Sequence, residues 1–228
     1  MNRAHALIIA VSLTFFSPQA ISAQDLSRYR AYVLESSVDV VLAATGARPT
    51  EAQTIHERPA KIQELQWRAP YVSQGSSTLD PVRSVAFTFF NDALYQVFVT
   101  YDRDRTEGLT SADIIESLTA SYGAPVIKSA IARTGLPAAT LQDATVLAQW
   151  DNEASSLTLL RGTYSPDFQL ILSSKSLSAR ARSAIREAIR LDALEAPQRE
   201  LAERKKEVAD ASAARDKARS TNKAAFRP

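Results

Sequence analysis

The chain has 228 residues, a formal net charge of +2, 45% hydrophobic residues and no cysteine. That composition excludes a disulfide framework, a thiol nucleophile, a His/Cys zinc site and a lipid-bearing cysteine, and it leaves stability to an ordinary apolar core. The charge is uneven: residues 24–174 carry 12 Lys/Arg against 17 Asp/Glu and residues 175–228 carry 14 against 8, so an acidic body precedes a basic tail.

Residues 1–23 read as a secretory signal peptide, with Arg3 in a short n-region, an apolar run from Ala6 to Phe16, and small residues at Ala20, Ser22 and Ala23. The run is too short to span a bilayer, which needs roughly 20 apolar residues. The expectation is export to the periplasm or the medium, with no transmembrane segment in the rest of the chain. Leu26 to Leu34 follows as a short amphipathic lead-in. Ser36-Ser37-Val38-Asp39 then reads as a capping box opening the helix VDVVLAAT, which Gly46 closes. Pro49 to Ala52 can begin another helical turn, and Ile62 to Trp67 is a strand candidate before a polar loop from Ser73 to Asp80.

Ser84 to Tyr101, SVAFTFFNDALYQVFVTY, has two β-branched and aromatic runs around Asn91-Asp92, the pattern of a hairpin with a primed turn. In simple register Phe89 faces Leu94, Phe87 faces Gln96 and Val85 faces Phe98. Alternation then assigns Val85, Phe87, Phe89, Leu94 and Phe98 to the core. Tyr95, Val97, Val99 and Tyr101 fall on the second face, which is either covered by the rest of the sheet or available to a protein partner.

The pattern then recurs. Thr110-Ser111-Ala112-Asp113 is a second capping box, opening DIIESLTASY and closing at Gly123. A loop with Gly135 and Pro137 leads to strands at Thr145 to Trp150, Ser156 to Leu160 and Phe168 to Leu172. Gln66-Trp67 and Gln149-Trp150 occupy matching places, which suggests two α-β-β-β units with halves at 24–105 and 106–175. From residue 176 to 228 the chain reads as a charged helical or partly disordered tail. Ala181, Ile185, Ala188, Ile189 and Leu194 lie on a rough stripe, and Pro197 interrupts or restarts the helix.

The chemistry-bearing residues are few. His56, in IHERPAKI with Glu57 and Arg58, is the lone histidine after the signal. It has no second histidine for a metalloprotease motif. Neither a Gly-rich phosphate loop nor a nucleophile elbow is present, and no cofactor is expected. Asp102, Asp104 and Thr106 resemble the start of a calcium loop, yet Glu107 stands where glycine is needed and Asp113 where the bidentate Glu belongs. A salt-bridged turn is the simpler expectation there. The tail interleaves its cations with acids, so a solvated face is expected and nucleic acid is not.

Several stretches carry a resemblance: YRAYVLESSVDVVLAATG, IHERPAKIQELQWR, FTFFNDALYQVFVTYDRDRTEGLTSADIIESL and NKAAFRP. In these the chain resembles a group of uncharacterised exported bacterial proteins, which implies no activity. In element order alone it is similar to the small outer-membrane-assembly lipoproteins and to the secreted β-lactamase inhibitor proteins, which repeat a helix and three antiparallel strands. It lacks the cysteines of both.

The expectation is therefore an exported α+β protein, an antiparallel sheet with helices packed on one side and a charged C-terminal helix. Its leading functional reading is a non-enzymatic module that binds a macromolecule, with a protein partner in the envelope or outside the cell. The candidate binding residues are Tyr95, Val97, Val99, Tyr101, His56 and Arg58. The alternatives are a hydrolase or small-ligand-binding protein using Asp, Glu and Tyr near His56, and a structural envelope protein attached through its tail.

Overall fold

The computed structural model describes residues 25–69, 80–128, 144–163, 166–225 and 227. The stretch 1–23 that reads as a signal peptide, most of the polar loop before Asp80 and the loop holding Gly135 and Pro137 lie outside them. The fold is α+β, with an eight-stranded antiparallel sheet at its centre. A small hairpin of β1 (Arg28–Tyr29) and β2 (Tyr32–Val33) leads into α1 (Val38–Thr45) and a 3-10 turn at Pro49–Glu51. Then come β3 (Ala52–His56), β4 (Ile62–Arg68), β5 (Val82–Phe90), β6 (Ala93–Tyr101) and α2 (Ser111–Tyr122). The chain closes with β7 (Ile127–Lys128), β8 (Ala144–Asp151), β9 (Ser155–Gly162), β10 (Phe168–Ser174) and α3 (Lys175–Ala225).

The strand order is β3-β4-β5-β6-β10-β9-β8-β7, so the last strand of each half lies at the centre and the first at an edge. The registers repeat this mirror arrangement. Trp67 pairs with Val85 and Val85 with Val99, while Trp150 pairs with Leu157 and Leu157 with Leu172. Val99 and Leu172 each lie one residue past Phe98 and Ile171, which face each other across β6 and β10. A pseudo-two-fold axis therefore passes through the Phe98–Ile171 pair.

The primed turn forms as its sequence dictates, with Asn91 at φ 48° and Asp92 at φ 65°. The simple register does not survive beyond it. Phe89 pairs with Leu94, but Thr88 pairs with Gln96, so Tyr95 is the extra residue of a bulge. Phe87 consequently faces Val97 and Val85 faces Val99. One extra residue reverses every side chain beyond it. Val97 and Val99, expected on the second face, are 0% and 1% exposed in the main core, and Phe98 moves to the opposite face beside Ile171 and Leu160.

That main core joins Leu65, Phe87, Phe89, Leu159 and Leu170 of the sheet to Val41 and Leu42 of α1 and Leu118 of α2. Helices α1 and α2 thus cover one face. On the other face the first turns of α3 pack Ala181 against Ile62, Phe90 and Tyr95. The second capping box is complete: the Asp113 amide donates to the Thr110 hydroxyl, and the Thr110 amide donates to the Asp113 carboxylate. The first does not form. Ser37 makes a bridge with Ala93, the amides of Glu35 and Val38 donate to Leu94 and Asp92, and the Ser36 hydroxyl donates to the Val33 carbonyl. Docking onto the hairpin tip fixes this segment instead. Pro49–Glu51 is a single 3-10 turn and gives way to β3 rather than continuing as a helix. Pro197 does not interrupt α3, which runs through it.

Candidate functional site

β3 is an edge strand whose middle residues are all exposed. Among the described residues no strand pairs with its outer side. It also bulges: Thr54 pairs with Gln63 and His56 with Ile62, so Ile55 is the extra residue and stays half exposed. Bulges at sheet edges re-aim side chains and are a common device at recognition sites. Ile55, His56, Glu57 and Arg58 form one wall of a pocket of about 190 Å³, and Ala188, Leu191 and Asp192 of α3 form the other.

The sequence places these walls together for two separate reasons. Asn91 and Asp92 hold the β3–β4 connection: the Lys61 amide donates to Asn91 Oδ1 at 2.9 Å, and Lys61 Nζ sits 2.9 Å from Asp92 Oδ1. α3 is seated by Leu177, Ala181, Ala184 and Ile185 on the adjacent sheet face. Arg58 closes the gap, its Nη2 donating to Glu195 Oε2 at 2.7 Å. The guanidinium holds the Glu195 carboxyl below the usual carboxylate range. Exposed pairs of this kind contribute little to stability and open readily. The pocket can present an imidazole, carboxylates, a guanidinium and the Ile55 side chain to a ligand, and among the described residues no hydroxyl side chain lines it.

The candidate residues named from sequence separate into three places. His56 and Arg58 share the pocket. Tyr95 is buried on the same flank beneath α3, with burial pushing its phenol up. Val97 and Val99 are core. Tyr101 lies at the far end of β6, where its hydroxyl shares a hydrogen bond with that of Tyr29 and burial pushes both phenols up. Arg30 and Asp80 close that cluster with a two-pronged ion pair at 2.5 and 2.8 Å. Asp102 and Asp113 do not converge: Asp102 Oδ1 accepts from the amides of Asp104 and Arg105, and Asp113 completes its cap. Among the described residues no group of three His, Asp or Glu side chains is placed to hold a metal.

Sequence reasoning missed β3, Leu191, Asp192 and Glu195. β3 is five residues long with no alternation of burial, which removes the period-2 signal. The chain matches no protein-family model, no curated protein and no solved structure.

Proposed function

We propose that the chain is a non-enzymatic binding module of the cell envelope or the secreted fraction, and that it captures a protein partner along the outer edge of β3. The observation that carries this reading is the exposed edge strand lying directly beside the Ile55–Arg58 and Leu191–Asp192 pocket. An extended segment of a partner would add as a further strand, its backbone satisfying the outward amides and carbonyls of β3. Alternate side chains of that segment would reach the pocket, where His56 and Arg58 offer polar contacts and Ile55 an apolar one. Edge strands left open are the usual site of such additions.

The test is capture from envelope and culture-supernatant fractions by residues 24–228, with Ile55→Lys and Arg58→Ala as comparisons. Both positions are solvent-facing, so the fold is expected to be kept. A partner retained by the unmodified chain and lost with Ile55→Lys supports edge capture. Retention unchanged by both substitutions overturns it.

A further inference from the structure

Along the sequence the cations of α3 are interleaved with acids, but on the helix one line of arginines is free of them. Steps of three or four residues follow one line along a helical surface. Starting from Arg186, that line passes through Arg190, Arg204, Arg215 and Arg219, all exposed. Between these cations it carries Leu194, Leu201 and Val208, which are 60%, 58% and 70% exposed. None of the helix's Asp or Glu residues falls on it. Glu187 and Glu200 reach it from the side to pair with Arg190 and Arg204, in the exposed i,i+3 and i,i+4 geometry that contributes little. From Arg186 to Arg219 the line is roughly 50 Å long at 1.5 Å per residue. The positions seated on the sheet, Leu177, Ala181 and Ala188, lie on the opposite side of the helix, so the body leaves the line open.

We infer that this face of α3 lies on an anionic lipid surface. The charge is complementary to lipid phosphates along the whole length, and a long stripe can engage a plane at several points together. The three large apolar residues within the stripe decide between anions. They gain from the acyl boundary of a bilayer and gain nothing from the backbone of a nucleic acid. No described helix is long and apolar enough to cross a membrane, so α3 lies in the interface rather than spanning it. The inference is independent of capture at β3, because the two surfaces share no residue.

The test is co-sedimentation of residues 24–228 with phosphatidylcholine vesicles, with and without phosphatidylglycerol, and separately with heparin as a soluble polyanion. The expected result is binding to the anionic vesicles alone among the two lipid mixtures. Arg215→Gln/Arg219→Gln is expected to weaken it roughly 25-fold, at about fivefold per arginine near the surface. Lys206→Gln/Lys217→Gln removes the same charge from the opposite side of the helix and is expected to change it less than about threefold. Leu201→Ser is expected to weaken vesicle binding while leaving heparin binding unchanged. Absence of binding to anionic vesicles overturns the inference. Equal losses in the two double variants overturn it as well, since net charge alone would then account for binding, and so does capture by heparin without capture by vesicles.

Discussion

Phe98 of β6 and Ile171 of β10 are direct cross-strand partners, and both halves of the sheet are arranged symmetrically about them. With Leu160, Val146 and Ala144 they form a cluster on the face opposite α1 and α2. Ile171 is 1% exposed, so Ile171→Ala is expected to lower stability by about 2–5 kcal/mol in equilibrium denaturation. A double-mutant cycle with Phe98→Ala is expected to show a coupling of up to about 1 kcal/mol. Strict additivity would mean that the pair is adjacent without being energetically joined.

The two tryptophans occupy corresponding places in the sheet and differ in burial. Trp150 is 1% exposed and its indole N–H donates to the carbonyl of Gly123 at the end of α2, while Trp67 is half-buried at the core margin. Trp150→Phe removes that donor and leaves a poorly filled site, so a loss of about 1–3 kcal/mol is expected. Trp67→Phe is expected to cost clearly less. Urea titrations of both variants check the ranking, which equal losses would contradict.

The two helix starts separate cap chemistry from sequence pattern. Thr110→Ala removes a working cap and is expected to cost about 1 kcal/mol. Ser37→Ala removes a hydroxyl that caps nothing, and a change within about 0.5 kcal/mol is expected. Thermal melts of the pair distinguish the two outcomes.

Asp80 anchors the β1–β2 turn through Arg30. The hydrogen bond from that guanidinium holds the carboxyl below its ordinary value of 3.8. A carboxyl lowered in the folded state adds stability that is fully present above its unfolded value and is lost as pH falls through the folded one. The melting temperature is therefore expected to fall as pH drops below about 4, and Asp80→Asn is expected to flatten that part of the profile. Parallel profiles for the two proteins would contradict the assignment.

Beyond Glu195 every described residue of α3 is exposed. A chain ending at residue 196 is expected to melt within a few degrees of the full chain, whereas Ala181→Asp is expected to unfold the flank formed with Ile62, Phe90 and Tyr95. Differential scanning calorimetry of both variants checks the contrast.

Much of the architecture could be read from residues alone because its signals are local. Asn91-Asp92 requires two left-handed positions, Thr110 and Asp113 satisfy one another, and Gly46 supplies the left-handed C-terminal residue of α1. The long central strands alternate clearly, and the corresponding places of Trp67 and Trp150 were visible as repeated Gln-Trp pairs. What failed depended on tertiary context. The bulge at Tyr95 has no sequence mark, yet it decides whether Val97 and Val99 or Phe98 enter the core. Ser36 and Ser37 match a cap motif, but the hairpin tip claims their backbone. The pocket is half legible: His56 stands out as the lone histidine after residue 23, with Arg58 beside it, while Leu191 and Asp192 sit more than 130 positions away with no local signal. The acid-free line of arginines on α3 is hidden in the sequence because composition counts residues without regard to their angle about an axis.

Ser174 ends β10 and Lys175 begins α3, with no intervening residue. The Lys175 amide donates to the Ala154 carbonyl and its ammonium sits 2.7 Å from Asp151, so the joint is clamped to the neighbouring strands. Arg199 reaches back past Pro197, which withholds a helical hydrogen bond from the Ala193 carbonyl, and donates to the carbonyl and carboxylate of Asp192. The helix therefore behaves as a lever without a swivel. A sideways load at its far end arrives as torque on β10, at the middle of the sheet, and whatever grips the tip sets the orientation of the whole body.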